Sequence, residues 1–468
     1  NFLTDEGLLP NYAFPEAGVM LRSVIYRRKN TVKDGESLFE NVVYEYERPG
    51  AAAISELAPL NRFYAGGRQV SIVQIDMQLS EIEYWRFCCE CSYSENITTG
   101  DHNEVCPRCS DAMWADSGQR VQMLRLRQVM ANTSDKESRI GDEVEDREPA
   151  FYTRQMLTDF EQENIEKAWR LVSDKLPFGF EYIKKSSFRE INFGEYSLQG
   201  EELQIAGKLN SRPGFKVCHY CGMVQKKKDK IQEHAFACKA PDPQLAENLI
   251  ECLYLYREFS SEAVRILLPV FSVESAPRYL NSFIAAIQLG LKRKFGGQVD
   301  HLKVMTYDEP LSDSTDDPDS RRHYLMLYDS VPGGTGYLHE LLQTPKHLME
   351  IFQLAKDVLI SCSCNQDPQK DGCYQCLYAY RNSYGMETTS RNTAVELLTN
   401  ILDNSDNFEE VETISAIKVN PAFDSELEAR FIEAIRRLGN QSGIKIQQQV
   451  INGKAGHFLS GKDRMYEI

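Results

Sequence analysis

No run of 18 apolar residues occurs in the 468-residue chain, so no segment can be laid across a bilayer as a helix. No secretory signal opens it, and the cytosol is its expected home. The G-x-x-x-x-G-K-[ST] pattern that cradles nucleotide phosphates is missing. Neither a DEAH-like box nor an arginine finger in context is found, so no ATP hydrolysis is expected of this chain by itself. Basic charge is short too: Lys and Arg number 53 against 69 Asp and Glu, a net charge of −16. That balance excludes an all-over polyanion-binding surface and leaves room only for a local basic groove. The first residue is Asn, not Met, which points to a fragment.

Cysteine, by contrast, is plentiful. The thirteen thiols fall mostly into short paired spacings, which in a cytosolic chain favours zinc over disulfides. The first group is Cys88-x-x-Cys91 and Cys106-x-x-Cys109 with fourteen residues between, close to zinc-ribbon spacing. Each C-x-x-C forms a tight knuckle that turns two sulfurs inward, and a hairpin brings two knuckles around one ion. Cys89 could replace Cys88; Cys88 is the preferred ligand. His102 is read as a bystander. The second group is Cys218-x-x-Cys221, twelve residues, His234, three residues, Cys238. This is the spacing of a ββα finger with cysteine as last ligand, and it predicts a helix from about Asp229 carrying His234 and Cys238 on one face. His219 is set aside because Cys221 completes the knuckle.

The third group, Cys362-x-Cys364 and Cys373-x-x-Cys376, brackets eight residues rich in Asp, Gln, Lys and Gly. It follows a predicted strand, Tyr324 to Tyr328, that breaks at Pro332-Gly333-Gly334 and restarts as a helix near Tyr337. Glycines between strand and helix can cradle an anion, but no Lys-Ser or Lys-Thr follows. A tight packed turn oriented by Asp329 is the expectation. Eleven cysteines and His234 therefore imply about three zinc ions, with Cys89 and Cys252 left over. Cys252, in LIECLYLYREF, is expected in the core of a helical stretch.

The string YDSVPGGTGYLHEL, followed by C-x-C, GCYQC and then YRN and SRNTAVELL, resembles the MrfA-type zinc-binding domain. That domain lies at the C-terminal end of a group of bacterial superfamily 2 DNA helicases, with related chains in phage-defence systems of the DISARM and Druantia kinds. The likeness extends upstream through NYAFPEAGV, ANTSDKESRIGDEVEDRE and YREFSSEAVRILLP, from about Asn11 to Leu402. The resemblance implies the accessory region of an ATP-dependent helicase, a rigid platform for motor and single-stranded DNA, with ATP and Mg bound only by motor domains absent here. It equally admits a non-catalytic zinc scaffold that binds a partner helicase in a defence complex.

The predicted fold class is mixed α+β and multidomain, with small zinc-stabilised modules. Residues 1–80 form a β-rich opening segment, with strands at Val19–Tyr26, Val42–Tyr46 and Val70–Met77 and a short helix over Ser55–Leu60. Residues 81–130 hold the ribbon and one alternating strand, Val121–Met130, that sets Arg125 and Arg127 on one face, either against phosphates or in solvent. Residues 131–210 are a mixed region. In it, Asp135–Glu148 makes a charged turn, Met156–Leu176 a helix and Ile183–Phe193 a strand. The finger occupies 211–240 and the MrfA-type domain 241–402, with a helix over Tyr279–Lys294, a strand over Leu302–Met305 and an acidic loop over Asp308–Asp319.

Beyond Leu402, DNSDNFEEVE reads as a linker or edge, and SELEARFIEAIRRLG as an amphipathic helix followed by a hairpin turning at Asn452-Gly453. Residues 403–468 resemble the opening of a restriction-endonuclease-like domain, which implies Glu428 or Glu426 as its early acid. The later Asp and Glu-x-Lys are not identifiable before Ile468. Nucleic-acid contact is expected, weakly, at Lys226, Lys227, Lys228, Lys230, Lys292, Arg293 and Lys294. The first four also read as a solvated run, and the last three also suit the negative end of a helix dipole.

Overall fold

The computed structural model describes residues 18–29, 38–100, 103–140, 151–173, 177–196, 202–226, 231–242, 244–268, 276–296, 299–310, 321–367, 370–378, 387–417, 445–451, 454–460 and 465–467. It is a mixed α+β protein with several sheets and few helices. The chain divides into two compact units, each built from separated segments. One comprises Ala13–Asp159 and Ser187–Phe259, the other Asn1–Tyr12, Phe160–Ser186 and Ser260–Ile468. Among the described residues no helix is long and apolar enough to cross a membrane.

In the first unit, β1 (Val19–Arg28) alternates between buried and exposed positions and turns Val19, Leu21 and Ile25 into the core. It lies antiparallel to β2 (Phe39–Arg48). A short helix, α1 (Gly50–Glu56), follows and buries Ala53 and Ile54. It starts five residues before the Ser55–Leu60 span expected of it and ends two residues into that span, because Leu57 and Ala58 are already in the turn behind it, though both stay buried. Then come β3 (Arg62–Ala65), β4 (Arg68–Ile75), β5 (Ile82–Phe87), β6 (Ser94–Asn96), β7 (Arg120–Arg125) and β8 (Gln128–Ser134). The first sheet runs β2-β1-β8-β4-β3, with β1 and β8 parallel.

The stretch Val121–Met130, expected as one strand, is two. β7 pairs β5 while β8 joins β1 and β4, so the chain changes sheets at Leu126–Arg127. Arg125, half-exposed, meets Glu258 at 3.4 Å and stands over the Tyr256 ring, and Arg127 is exposed. Of the charged turn, Asp135 is held by Arg68 and Arg139, each at 2.8 Å; residues 141–148 lie outside the described residues.

Met156–Leu176, expected as a helix, forms the end of β9 (Tyr152–Asp159) and β10 (Ile165–Leu171) instead. The fully buried residues of β10, Ala168 and Leu171, are three apart and so lie on opposite faces of the strand, which imitates helical spacing. The next strands are β11 (Gly179–Glu195), β12 (Glu202–Ile205), β13 (Lys208–Ser211), β14 (Phe215–Cys218) and β15 (Leu249–Leu267). The helix expected around Cys252 is thus part of β15. Its near-continuous burial removes the alternation that would mark a strand. Cys252 itself is half-buried against the core of Trp85, Phe193 and Tyr254. The division between units falls within β11 and β15.

In the second unit, β10 pairs with residues 179–183 of β11 and with β18 (Phe408–Val411), which makes Phe408–Val411 an edge strand. β17 (Arg321–Asp329) pairs with Ala263–Leu267 and with β16 (Leu302–Pro310), all antiparallel. β16 runs on into the first residues of the expected acidic loop; 311–320 lie outside the described residues. Among the described residues of this unit the helices are α2 (Ala276–Lys294), α3 (Tyr337–Leu341), α4 (Pro345–Ser361) and α5 (Arg391–Leu402).

Phe283, Ile287, Leu291, Leu348, Phe352, Leu359 and Leu398 interlock with Leu325 and Leu327 in one core. At Gly290 a Cβ would come within 2.4 Å of the Ile351 carbonyl, so only glycine lets α2 and α4 approach this closely. Arg265, 1% exposed, is held by Glu181 at 2.5 Å and by Glu309 at 3.2 Å, beneath the Tyr324 ring. The chain closes with β19 (Lys445–Ile451), β20 (Lys454–Ser460) and β21 (Met465–Glu467) in an antiparallel sheet. The amphipathic helix, Glu426, Glu428 and Asn452-Gly453 lie outside the described residues.

Candidate metal centres

Among the described residues three groups of four donors draw together. They are Cys88, Cys91, Cys106 and Cys109; Cys218, Cys221, His234 and Cys238; and Cys362, Cys364, Cys373 and Cys376. Within each group the donor atoms all lie within 4.8 Å of one another. A zinc ion with bonds of about 2.3 Å to sulfur sets tetrahedral sulfurs about 3.8 Å apart, whereas a disulfide needs about 2.05 Å. The measured pairs are 3.4 Å for Cys88–Cys109, 3.6 Å for Cys91–Cys106, 3.9 Å for Cys218–Cys238 and 3.7 Å for both Cys364–Cys376 and Cys373–Cys376. These distances fit a shared ion and exclude a bond. All thirteen thiols are free of disulfides.

The first knuckle follows directly from β5. The backbone N–H groups of Glu90 and Cys91 both donate to the Cys88 sulfur at 3.4 Å, the support that a metal-bound thiolate would use. The β12–β13 turn braces it, with Ala206 N–H on the Cys88 carbonyl and Gly207 N–H on that of Cys89. The second knuckle closes through Ser110 N–H on the Cys106 carbonyl. Trp114, fully buried, packs beside the four sulfurs with Tyr93. The Cys88-or-Cys89 ambiguity has a geometric answer. Cys89 donates its thiol to Asp111 at 3.1 Å, and burial followed by that carboxylate pushes its pKa up, so it stays protonated outside the cluster.

The second cluster starts on β14. Its knuckle is stitched to β4 by Ile75 N–H on the Gly222 carbonyl and by the Gln74 amide on the Cys221 carbonyl. The helix expected under His234 and Cys238 is absent: residues 231–242 form turns, with Cys238 N–H on the Ala235 carbonyl. A turn satisfies the same four-residue spacing as a helical face, and the ring Nδ1 reaches Cys238 at 3.4 Å and Cys221 at 4.0 Å. Nε2 faces the Gln232 side-chain oxygen at 3.2 Å, the outer partner that leaves Nδ1 free to ligate. His219 is not in the group and stacks edge-on with Tyr220. His102 lies outside the described residues.

At the third cluster α4 ends at Ser361, Cys362 and Cys364 follow on a 3-10 turn, and Cys376 N–H closes the second knuckle on the Cys373 carbonyl. Burial pushes the Cys376 thiol up to about 12. At Cys373 burial acts the same way but is outweighed by the Gln375 N–H and neighbouring thiols, leaving it at about 7. Two supports here were not found from spacing. Arg391, 5% exposed, donates from Nη1 to the Cys364 sulfur at 3.3 Å. Asp371 accepts from Asn392 N–H, the Ser390 hydroxyl and Arg278, and so ties the cysteine loop to the start of α5 and to α2. The cue was present in SRNTAVELL, a capped helix start opening on an arginine, yet nothing local joins it to Cys364.

The glycine turn ahead of this cluster is filled by the protein's own carboxylates. Asp329 accepts from Val331 N–H at 2.9 Å, from Thr335 N–H at 2.8 Å and from the Thr335 hydroxyl. Glu262 accepts from Gly336 N–H at 2.8 Å, from Leu338 and His339 N–H, and from the Tyr182 hydroxyl. The N–H groups that would meet a phosphate already have anionic partners.

Of the expected nucleic-acid contacts, Lys226 pairs with Glu233 at 3.5 Å and Lys294 with Glu350 at 2.6 Å. Lys227, Lys228 and Lys230 lie outside the described residues. Lys292 and Arg293 are exposed at the end of α2.

Fold and sites together define a mixed α+β protein with three cysteine-rich clusters shaped for zinc. Residues 283–377, which contain the third cluster and neither of the others, match the family model of the MrfA Zn-binding domain. Among solved structures, the crystal structure of the DUF1998 helicase MrfA bound to DNA aligns with a TM-score of 0.39 at 11% identity. The alignment covers 84% of this chain and 34% of that one, so this chain spans about a third of that chain's length. No curated protein matches.

Proposed function

We propose that this chain is the zinc-held accessory region of an ATP-driven DNA helicase, serving bacterial anti-phage defence in the cytosol as a rigid platform for the motor and a single DNA strand. The observation that carries the reading is the coincidence of the MrfA Zn-binding domain match with the third four-cysteine cluster. Cys88, Cys91, Cys106 and Cys109 would hold one zinc ion, Cys218, Cys221, His234 and Cys238 a second, and Cys362, Cys364, Cys373 and Cys376 a third. Zinc with four protein donors has no open position for water or substrate, so the metal supplies folding energy rather than chemistry.

The chain's own residues contribute shape. The knuckles fix loops against β4, the β12–β13 turn and α5, and Asp329 with Glu262 lock the glycine turn. ATP and Mg belong to motor domains, joined in the same chain or supplied by a partner subunit.

Metal analysis of the purified chain, with an ATPase assay on the same sample, tests this. About three zinc ions per chain and no turnover are expected. One zinc or none, or ATP hydrolysis by the pure chain, would overturn the platform reading.

A further inference from the structure

An open groove of about 920 Å³ lies along the third cluster, walled by the end of α2, the start of β16 and the Cys373–Cys376 knuckle. Three cations from two separate elements converge on it: Lys292 and Arg293 from α2, and Lys303 from β16. Among the described residues none of the three has an ion pair, unlike Lys294 one position on, which Glu350 holds outside the groove. In a chain of net charge −16, three unpaired cations around one concavity are a local inversion of sign. A helix dipole accounts for Lys292 and Arg293 but not for Lys303.

The knuckle adds Tyr374, 69% exposed between two cluster cysteines, with Tyr378 beside it at 6.3 Å between ring centroids. Asp300, the one acidic residue among the described residues of the lining, lies at the β16 side. A large aromatic left in water on a rigid support, next to unpaired cations, matches what an unpaired base and its phosphates require.

We propose that this groove is where the chain takes a single strand of nucleic acid. Lys292, Arg293 and Lys303 meet successive phosphates, and Tyr374 stacks on a base. The proposal deepens the platform reading and rests on it. The zinc knuckle is then one wall of the site, since Cys376 itself lines the groove.

Fluorescence anisotropy of the full chain with a labelled oligothymidylate, followed against salt, tests the assignment. Each variant is first checked for unchanged zinc content and circular dichroism; all the altered groups are on the surface. The combined Lys292→Glu, Arg293→Glu and Lys303→Glu variant should bind at least about ten-fold more weakly. Its log K should also fall less steeply with log salt, by about 0.7 for each phosphate that is no longer neutralised. Tyr374→Ala should cost roughly ten-fold with the salt slope unchanged, because stacking releases no counterions. Lys294→Gln should bind like the parent.

Wild-type affinity in both the triple variant and Tyr374→Ala, while the parent binds, would overturn the groove and leave the platform reading standing. No binding by the parent even at low salt would remove both. Displacement by polyglutamate as readily as by oligothymidylate would overturn nucleic acid as the occupant, and a Lys294→Gln loss equal to that of the triple variant would overturn the groove as the place of binding.

Discussion

At the third cluster a single buried arginine shows how much of a metal site lies outside its ligands. A four-thiolate zinc centre carries a net charge of about −2, and Arg391 places a guanidinium N–H on one of its sulfurs. Arg391→Ala should weaken zinc at this cluster by about ten-fold or more, the usual effect of losing an outer partner. Competition with a chromophoric chelator checks it, and the other two clusters should release zinc as before. Arg391 was not legible from the sequence because 27 positions separate it from Cys364; the grouping of the cysteines was, because C-x-C and C-x-x-C spacings are local geometry.

Glu262 makes the companion case in pH. Burial raises its pKa above 4.5, against the N–H and hydroxyl donors that pull it down. The folded chain therefore holds this proton more tightly than the unfolded one, and stability falls as pH rises from about 4.5 through the folded value. Glu262→Gln keeps an acceptor but no titration. The difference in melting temperature between parent and variant should shift in the variant's favour across that window and stay flat above it.

Among elements, β1, β4 and α2 were readable because one face is buried and the other is not, β17 because it holds a short apolar run, and the hairpin of β19 and β20 also falls where the sequence puts it. Those that failed share a cause. β15 is buried along almost its whole length, and β10 buries Ala168 and Leu171 on opposite faces, so neither shows a period of two. The finger helix failed for a different reason, since a turn meets the ligand spacing as well as a helix does.

The glycine turn tests how tightly elements are joined. Gly334 has φ +74°, and a Cβ there would stand 2.7 Å from Cγ of Glu262, the residue that accepts from the start of α3. Gly334→Ala combines a left-handed backbone with that clash and should cost about 1 kcal/mol or more. Faster amide exchange at Gly336, Leu338 and His339, with the first unit unaffected, is the expected readout.

At the scale of the whole chain, the cysteine clusters are divided unequally between the two units. The first two clusters belong to the unit of residues 13–159 and 187–259, the third to the other unit. Each unit closes its own apolar core: Leu21, Ile72 and Val129 with their neighbours in one, Phe283, Phe352 and Leu398 with theirs in the other. Cys364 and Cys376 are themselves members of the second core. Loss of the third ion should therefore reach α4 and α5 through packing as well as through the knuckle.

Cys376→Ser tests this. The variant should carry about two zinc ions per chain, because the remaining eight ligands are untouched. Amide protection should drop in Pro345–Ser361 and Arg391–Leu402 and hold in β1, β4 and β8. An unchanged protection map would mean that apolar contacts alone keep α4 and α5 in place. Zinc lost from all three clusters together would mean that the units do not fold independently, despite their separate cores.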